Sequence, residues 1–277
     1  MTRILLPTDF SENAQNAINY ATRLFKDEAC HFYLLNTYTP LIYSYDYQMS
    51  AGGYLGDVID VVRKNSITKL EEINKKMTAP NHQVHIISSF GVLTDEVDRI
   101  IDEHAIDLVI MGTKGATGVK ELLFGSNTMH VIKKAKCPVM AIPDGYFFEA
   151  PKDLLFPTDY LIDYTEKHLQ ILKKIAAIYK SKINVLNVSY GSEHTQAEIK
   201  NKSTLEKLLI DFNDKYHSLK DQEIDEAINE FQKTTYIQLL VMINNKHSFF
   251  ENILFKPVIK QLGFHLKTPF LIIPSKA

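Results

Sequence analysis

The chain has 277 residues, 45% hydrophobic and 23% charged, which suits a soluble globular protein of one large or two ordinary domains. Its 31 basic and 33 acidic side chains nearly cancel to a formal charge of −2, so the total argues for neither nucleic acid nor a membrane surface as partner. Two cysteines, Cys30 and Cys137, with no C-x-x-C spacing, are expected to be inert, half-buried thiols at strand edges.

The chain opens directly into strand-like sequence, with no basic n-region or apolar h-region, and no apolar run approaches the ~20 residues that span a bilayer. A cytoplasmic protein is the expectation. Arg3 to Thr8 (RILLPT) reads as a buried parallel strand stopped at Asp9. Ser11 then begins a helix that puts Ala14, Ala17, Ile18, Ala21, Leu24 and Phe25 on one face. His31 to Thr37 is a second strand. From Tyr38 to Gly56 runs a segment without period, carrying Tyr38, Tyr43, Tyr45, Tyr47 and Tyr54 with Gly52-Gly53. It is long for a compact connection, and a lid that stacks on a ligand, a partner surface and a plain loop are all open for it. Asp57 to Met77 is helical and ends before Pro80-Asn81, Val84 to Ser89 alternates as a strand, and Leu93 to His104 is a helix with Val97, Ile100 and Ile101 inward.

The next stretch carries the chemistry. Leu108, Val109, Ile110 and Met111 form an apolar run too short for a helix, broken at Gly112. Small and polar residues with Gly112, Gly115 and Gly118 follow, up to Gly125-Ser126, where a helix with Met129, Val131, Ile132 and Ala135 on one face begins and Ser126 is expected as its N-cap. The segment CPVMAIP closes the unit as a strand. This β-α-β-α-β-α-β-loop-α-β alternation builds a parallel sheet covered by helices on both faces.

The unit then repeats. DLLFPTDY at Asp153 to Tyr160 matches RILLPTDF at Arg3 to Phe10 at an offset of 150. Near the end, LVMINNKHSFFENILFKPVIKQLGFHLKTPFLIIP matches the glycine-bearing stretch without a gap, Met242 on Met111 and Pro269 on Pro138, at an offset of 131. The second copy is thus 19 residues shorter in its middle, and loss of a counterpart to the Tyr-rich segment would account for most of that. The expected division is a domain over residues 1–144, a connector from Asp144 to Lys152 with Gly145 and Pro151, and a second domain over 151–277. At the positions of Gly112, Gly115, Gly125 and Ser126 the second copy has Ile243, Lys246, Lys256 and Pro257, so it keeps the fold signals and loses the site. The two lysines leave a different anion open.

A strand, a glycine-bearing loop and a helix start make a place for an anion, because the backbone can come close and free N–H groups and the helix dipole favour phosphate oxygens. Neither G-x-x-x-x-G-K-[ST] nor a G-x-G-x-x-G after a strand occurs, which disfavours a P-loop NTPase and a dinucleotide enzyme. What occurs is G-x2-G-x9-G-S, on Gly112, Gly115, Gly125 and Ser126. This pattern resembles the ATP-binding motif of the universal stress protein family, and ILLPTDFSENA and CPVMAIP resemble the family's first and last strands.

The resemblance implies two tandem Rossmann-like domains, each a five-stranded parallel sheet with helices on both faces, of which the first binds an adenine nucleotide: ATP, AMP or ADP, with or without Mg²⁺. It places the crevice between the first and fourth strands, with Pro7, Thr8 and Asp9 opposite the Gly112 turn. Asp9 is an acceptor suited to ribose hydroxyls, or a cap for the following helix alone. Thr37 matches the position whose backbone reads adenine, and Met111 and Gly112 would pass under the nucleotide. Lys114 projects towards phosphate or towards solvent. Gly115, Gly125, Ser126 and Asn127 would surround the phosphates through main-chain N–H groups and the Ser126 hydroxyl, with Thr128, slightly further into the helix, as a weaker candidate. The family usually dimerises by pairing last strands, so Val139 to Ile142 and Phe270 to Ile273 are expected to pair within the chain, and a homodimer of the whole chain stays open.

The ten histidines show no ligand spacing, and no G-x-S-x-G or H-x-G-H is present, so no metal site, nucleophile or general base is nominated. The favoured function is a nucleotide-dependent regulatory or stress-response protein. A slow ATPase or phosphate-transferring enzyme and a nucleotide-free interaction scaffold are the alternatives.

Overall fold

A computed structural model of the chain describes residues 1–39, 55–114, 124–189, 194–220, 223–245 and 267–275. The Tyr-rich residues 43–54, Gly115, Gly118, Lys246, Lys256 and Pro257 lie outside these, so the lid and the second anion site fall outside the described residues.

The first half runs β1 (Thr2–Pro7), α1 (Glu12–Leu24), β2 (Cys30–Tyr38), α2 (Leu55–Asn74), β3 (His82–Phe90), α3 (Leu93–His104), β4 (Leu108–Gly112), α4 (Ser126–Lys134) and β5 (Val139–Ile142). The second runs β6 (Asp153–Thr158), α5 (Glu166–Tyr179), β7 (Lys182–Ser189), α6 (Gln196–Leu209), β8 (Asn213–Lys220), α7 (Ile224–Thr234), β9 (Leu239–Asn244) and β10 (Phe270–Pro274). Among the described residues, ten strands form one sheet in the order β3-β2-β1-β4-β5-β10-β9-β6-β7-β8. Pairing within each half is parallel. The single antiparallel seam is β5 with β10, where Phe270, Leu271 and Ile272 face Ala141, Met140 and Val139. Because the seam is antiparallel, the carboxyl ends of the strands in the two halves point to opposite edges of the sheet.

The strands read as continuous apolar runs because both of their faces are covered. Ile4, Leu6, Leu108 and Ile110 pack in one core with α1, α2, α5 and α6; Leu5, Val109 and Met111 pack in the other with α3, α4 and α7. Helix α1 starts where its sequence says: Ser11 caps it by accepting from the Ala14 N–H at 3.2 Å. The halves also touch beside the seam. Lys174 meets Glu28 at 3.2 Å, the Tyr179 hydroxyl donates to the Leu24 carbonyl at 2.7 Å, and Phe124 stacks on Phe270 with ring centres 6.2 Å apart.

The 19-residue difference between the halves lies mainly in two places. Sixteen residues separate β2 from α2 against six between β7 and α6, and α2 has 20 residues against 14 in α6. The connection that carries the Tyr-rich segment therefore supplies 16 − 6 = 10 of the 19 residues, just over half as expected, and the shorter helix supplies 20 − 14 = 6. Both cysteines are fully buried rather than half-buried, and burial pushes the Cys30 thiol up to about 11 and Cys137 up to about 12.

On the outer strands of the first half, His31 and His85 stack, with Nδ1 of His31 2.9 Å from Nε2 of His85, and Tyr33 lies between His85 and His104. Burial, then His31 and His104, hold His85 below the ordinary imidazole range. A folded value below the unfolded one means that the neutral ring favours folding, so stability is present above the unfolded value of ~6.5 and is lost as pH falls below it. The melting temperature is expected to be lower at pH 5.5 than at 7.5, and His85→Gln is expected to narrow that gap; an identical gap in both proteins would clear His85 of the effect.

Candidate functional site

The strand order of the first half reverses between β1 and β4, the place where an open α/β sheet leaves a crevice beyond its carboxyl ends. A cleft of about 130 Å³ lies there, lined by Pro7, Thr8, Asp9, Ala14, Thr37, Leu93, Met111, Gly112, Lys114, Asn127 and Thr128. Nine of these eleven are residues that the sequence nominates, drawn from the ends of β1, β2 and β4 and the start of α4. A volume of that size holds several waters, so it is a cleft and not a packing defect.

The β1 side is a rigid turn. The Thr8 Oγ1 accepts from the Phe10 N–H and the Asp9 Oδ1 accepts from the Ser11 N–H, both at 3.0 Å, with Phe10 at a positive φ of 66° between them. The buried Asn36 amide donates to the Thr8 carbonyl at 2.7 Å, and the Ser66 hydroxyl in turn donates to Asn36 Oδ1 at 2.8 Å. Asp9 is exposed. It does not cap α1, which Ser11 does: one carboxylate oxygen orders the turn, and the side chain stands at the rim of the cleft.

The β4 side is pinned at both ends of the glycine-bearing segment. The Thr113 N–H donates to the Ile142 carbonyl at 2.9 Å, and the Gly125 N–H donates to the Thr113 carbonyl at 2.7 Å. The Thr128 hydroxyl donates to the Gly112 carbonyl at 2.8 Å. Two sequence expectations change here. Gly125, not Ser126, is the N-cap of α4, with extended backbone (φ −65°, ψ 160°), and Ser126 is the first helical residue. The bond from Gly125 to Thr113 brings the chain into helical register one residue earlier than the hydroxyl suggested. That same bond occupies the Gly125 N–H. The first bond from within α4 is Met129 N–H to the Gly125 carbonyl, 3.0 Å, so the N–H groups of Ser126, Asn127 and Thr128 have no partner inside the helix and lie at its positive end. Neither Gly112 nor Gly125 has its backbone in the left-handed region.

Three lining or supporting residues escaped the sequence: Ala14, Leu93 and the buried Asn13, whose Oδ1 accepts from the Lys114 N–H at 3.1 Å. For Asn13 a signal existed, since it stands four residues before Ala17 in the buried stripe of α1, where a polar side chain needs a partner. For Leu93 there was none, because its place in the cleft depends on how α3 packs.

The second half repeats the turn and closes the cleft. Thr158 Oγ1 accepts from the Tyr160 N–H at 3.1 Å and Asp159 Oδ1 from the Leu161 N–H at 3.0 Å; Tyr160 has φ 58°, and Asn187 donates to the Thr158 carbonyl at 3.0 Å. Beyond β6 and β9, however, Phe156, Pro157, Thr158, Asp159, Ile162, Tyr164 and Ile243 leave only about 10 Å³, at most the room for one water. Ile243 stands where the first half has Gly112, and the buried Tyr164 hydroxyl bonds to Thr158. The Pro-Thr-Asp turn is therefore a feature of the fold, and the opening beside it belongs to the first half.

No helix among the described residues is long and apolar enough to cross a membrane, and no cluster of three or more His, Cys, Asp or Glu side chains among them could hold a metal ion. A universal stress protein of Methanocaldococcus jannaschii is 28% identical over 151 residues, 50% of this chain and 93% of that protein, and one of Bacillus subtilis is 21% identical over 150 residues, 50% of this chain and 97% of that protein. The solved structure of a universal stress protein from Archaeoglobus fulgidus superposes over 98% of this chain and 96% of its own with a TM-score of 0.71 at 15% identity, a likeness of fold that takes in both halves. The sequence profile of the universal stress protein family matches residues 1–143, from the first strand through the last strand of the half that keeps the cleft open, and the chain belongs to that family.

Proposed function

We propose that the first half, residues 1–144, binds an adenine nucleotide in the cleft beyond β1 and β4, and that the protein acts as a nucleotide-dependent regulatory or stress-response protein rather than as an enzyme. The second half, residues 151–277, is in this reading a degenerate copy, joined to the first through β5 and β10. The observation that carries the proposal is the contrast between the two switch points: one open, lined by polar main chain and the start of α4, the other filled, among the described residues, by Ile243 and Tyr164.

The residues present fit the group. Asn127 and Thr128 in the lining, with Ser126 next to them at the start of α4, offer main-chain N–H donors and a helix dipole to phosphate oxygens, and Lys114, also in the lining, adds a cation. Asp9 at the rim suits ribose hydroxyls. Mg²⁺ would be held mainly by the phosphates, with Asp9 as the carboxylate among the described lining residues, the usual division for this ion. Thr37, Leu93 and Met111 provide the less polar wall on which a purine would lie.

Isothermal titration of nucleotide-free protein tests the proposal. ATP, ADP or AMP is expected to bind with one site per chain, and mass spectrometry of protein purified without added nucleotide is expected to find which of them co-purifies. Absence of binding by all three at millimolar concentration would reject it.

A further inference from the structure

We propose that Asn13 is a positioning residue of the nucleotide site: it sets the path of the chain out of β4, and residue 112 is glycine to make room for it. The proposal rests on the reading of the cleft given above.

A Cβ built on Gly112 would lie 1.9 Å from Oδ1 and 2.7 Å from Cγ of Asn13, and 3.1 Å from its carbonyl oxygen. No side chain fits there while Asn13 stays. The backbone at Gly112 is not in the left-handed region, so conformation does not demand the glycine. The Asn13 side chain is buried, and its two ends are used differently. Oδ1 accepts from the Lys114 N–H at 3.1 Å, while Nδ2 points to the Asp144 carboxylate at 3.5 Å, in the chain leaving β5. On the opposite side the Thr128 hydroxyl holds the Gly112 carbonyl. Residues 112–114 are thus clamped between α1 and α4. The Lys114 N–H is turned away from the ligand, its side chain is left to line the cleft, and α4 supplies the N–H groups for an anion.

The second half shows the two positions changing together. Ile243 occupies the place of Gly112, and α5 begins at Glu166, four residues later than the offset of 150 would put it; counted from the Pro-Thr-Asp turn the counterpart of Asn13 is Asp163 and counted from the helix cap it is Lys167, both exposed and neither an amide. Withdrawing the helix removes the amide, and the side chain of Ile243 can then enter.

The test compares wild type with Asn13→Ala, Gly112→Ala and Asn13→Ala/Gly112→Ala, reading ATP and adenosine affinity by titration calorimetry and melting temperature by circular dichroism. Loss of the single bond to Lys114 should weaken ATP binding by Asn13→Ala about tenfold and leave adenosine within about twofold, since the displaced atoms face the phosphates. Gly112→Ala should lose ATP binding and melting temperature more severely. The double variant should recover most of both, because the added methyl then finds the space of the amide and only the 3.1 Å contact with the main-chain carbonyl of residue 13 remains. Equal losses for ATP and adenosine, unchanged ATP affinity in Asn13→Ala, or a double variant no better than Gly112→Ala would overturn the proposal. If Gly112→Ala fails to fold, a folded double variant is itself the rescue. If wild type binds no nucleotide, the proposed function falls along with the positioning role, while the melting temperatures still decide whether Asn13 is the reason for Gly112.

Discussion

Ser126→Pro is expected to lower ATP affinity by about 10- to 100-fold with little change in melting temperature. The substitution is chosen because the fold can accept it. Ser126 is the first residue of α4, the position where proline is tolerated best, since the N–H it lacks has no partner inside the helix there. Proline also restricts the residue before it to extended backbone, and Gly125 already has φ −65° and ψ 160°. The helix should therefore stand while the anion site loses one main-chain N–H and one hydroxyl. A hydrogen bond to a charged group is worth about 1.5–3 kcal/mol, which corresponds to that range of affinity. Ser126→Ala, which removes the hydroxyl alone, should fall between the two proteins. Calorimetric titration of the three with ATP decides the matter: if Ser126→Pro binds as tightly as wild type, the start of α4 is not where the phosphates lie.

Leu271→Asp is expected to be the most damaging single change to stability. Leu271 is fully buried in the strand that joins the halves, between Met140 of β5 on one side and Val241 of β9 on the other. An unpaired carboxylate there would have to be desolvated without compensation or take up a proton, and the lost apolar packing adds to that. By comparison with broken buried ion pairs the cost is about 3–5 kcal/mol, a large share of the ~5–15 kcal/mol that holds an ordinary domain folded. Lys267→Gln, at an exposed position just before β10, makes the same one-unit change of charge and serves as the control. Urea unfolding followed by circular dichroism should show the midpoint of Leu271→Asp well below both wild type and the control. A midpoint equal to that of the control would mean that the β5–β10 seam does not bear on stability.

Much of the first half was legible because each strand and helix carries its own pattern. The apolar runs Ile4–Leu6 and Leu108–Met111 mark strands covered on both faces, and the stripe of Ala14, Ala17, Ile18 and Ala21 marks the buried side of α1. The site was legible in part for the same reason: a strand, a glycine and a helix start are adjacent in sequence, and the Pro7-Thr8-Asp9 turn ends the neighbouring strand. What went unread involves groups distant in sequence. Asn13 meets Lys114 across 101 positions, and Leu93 reaches the cleft only through the packing of α3. The N-cap of α4 was misplaced by one residue because a bond from Gly125 back to Thr113, invisible to a local reading, outweighs the preference of a serine hydroxyl. The need for glycine at residue 112 was likewise illegible, because its reason is the side chain of Asn13 and not a backbone angle.

By itself the sequence determined the α/β alternation and the repeat of the unit at offsets of 150 and 131, since both are written in local periodicity and spacing, and the match of its first 143 residues to the universal stress protein profile, since that is a likeness of residues. Only the tertiary structure decided that one switch point is open and the other filled, that the two crevices face opposite edges of a single sheet, and that Gly112 gives way to Asn13. Those outcomes depend on which atoms arrive at the same point from distant parts of the chain, and volume exclusion between them is a property of the packed molecule rather than of any segment.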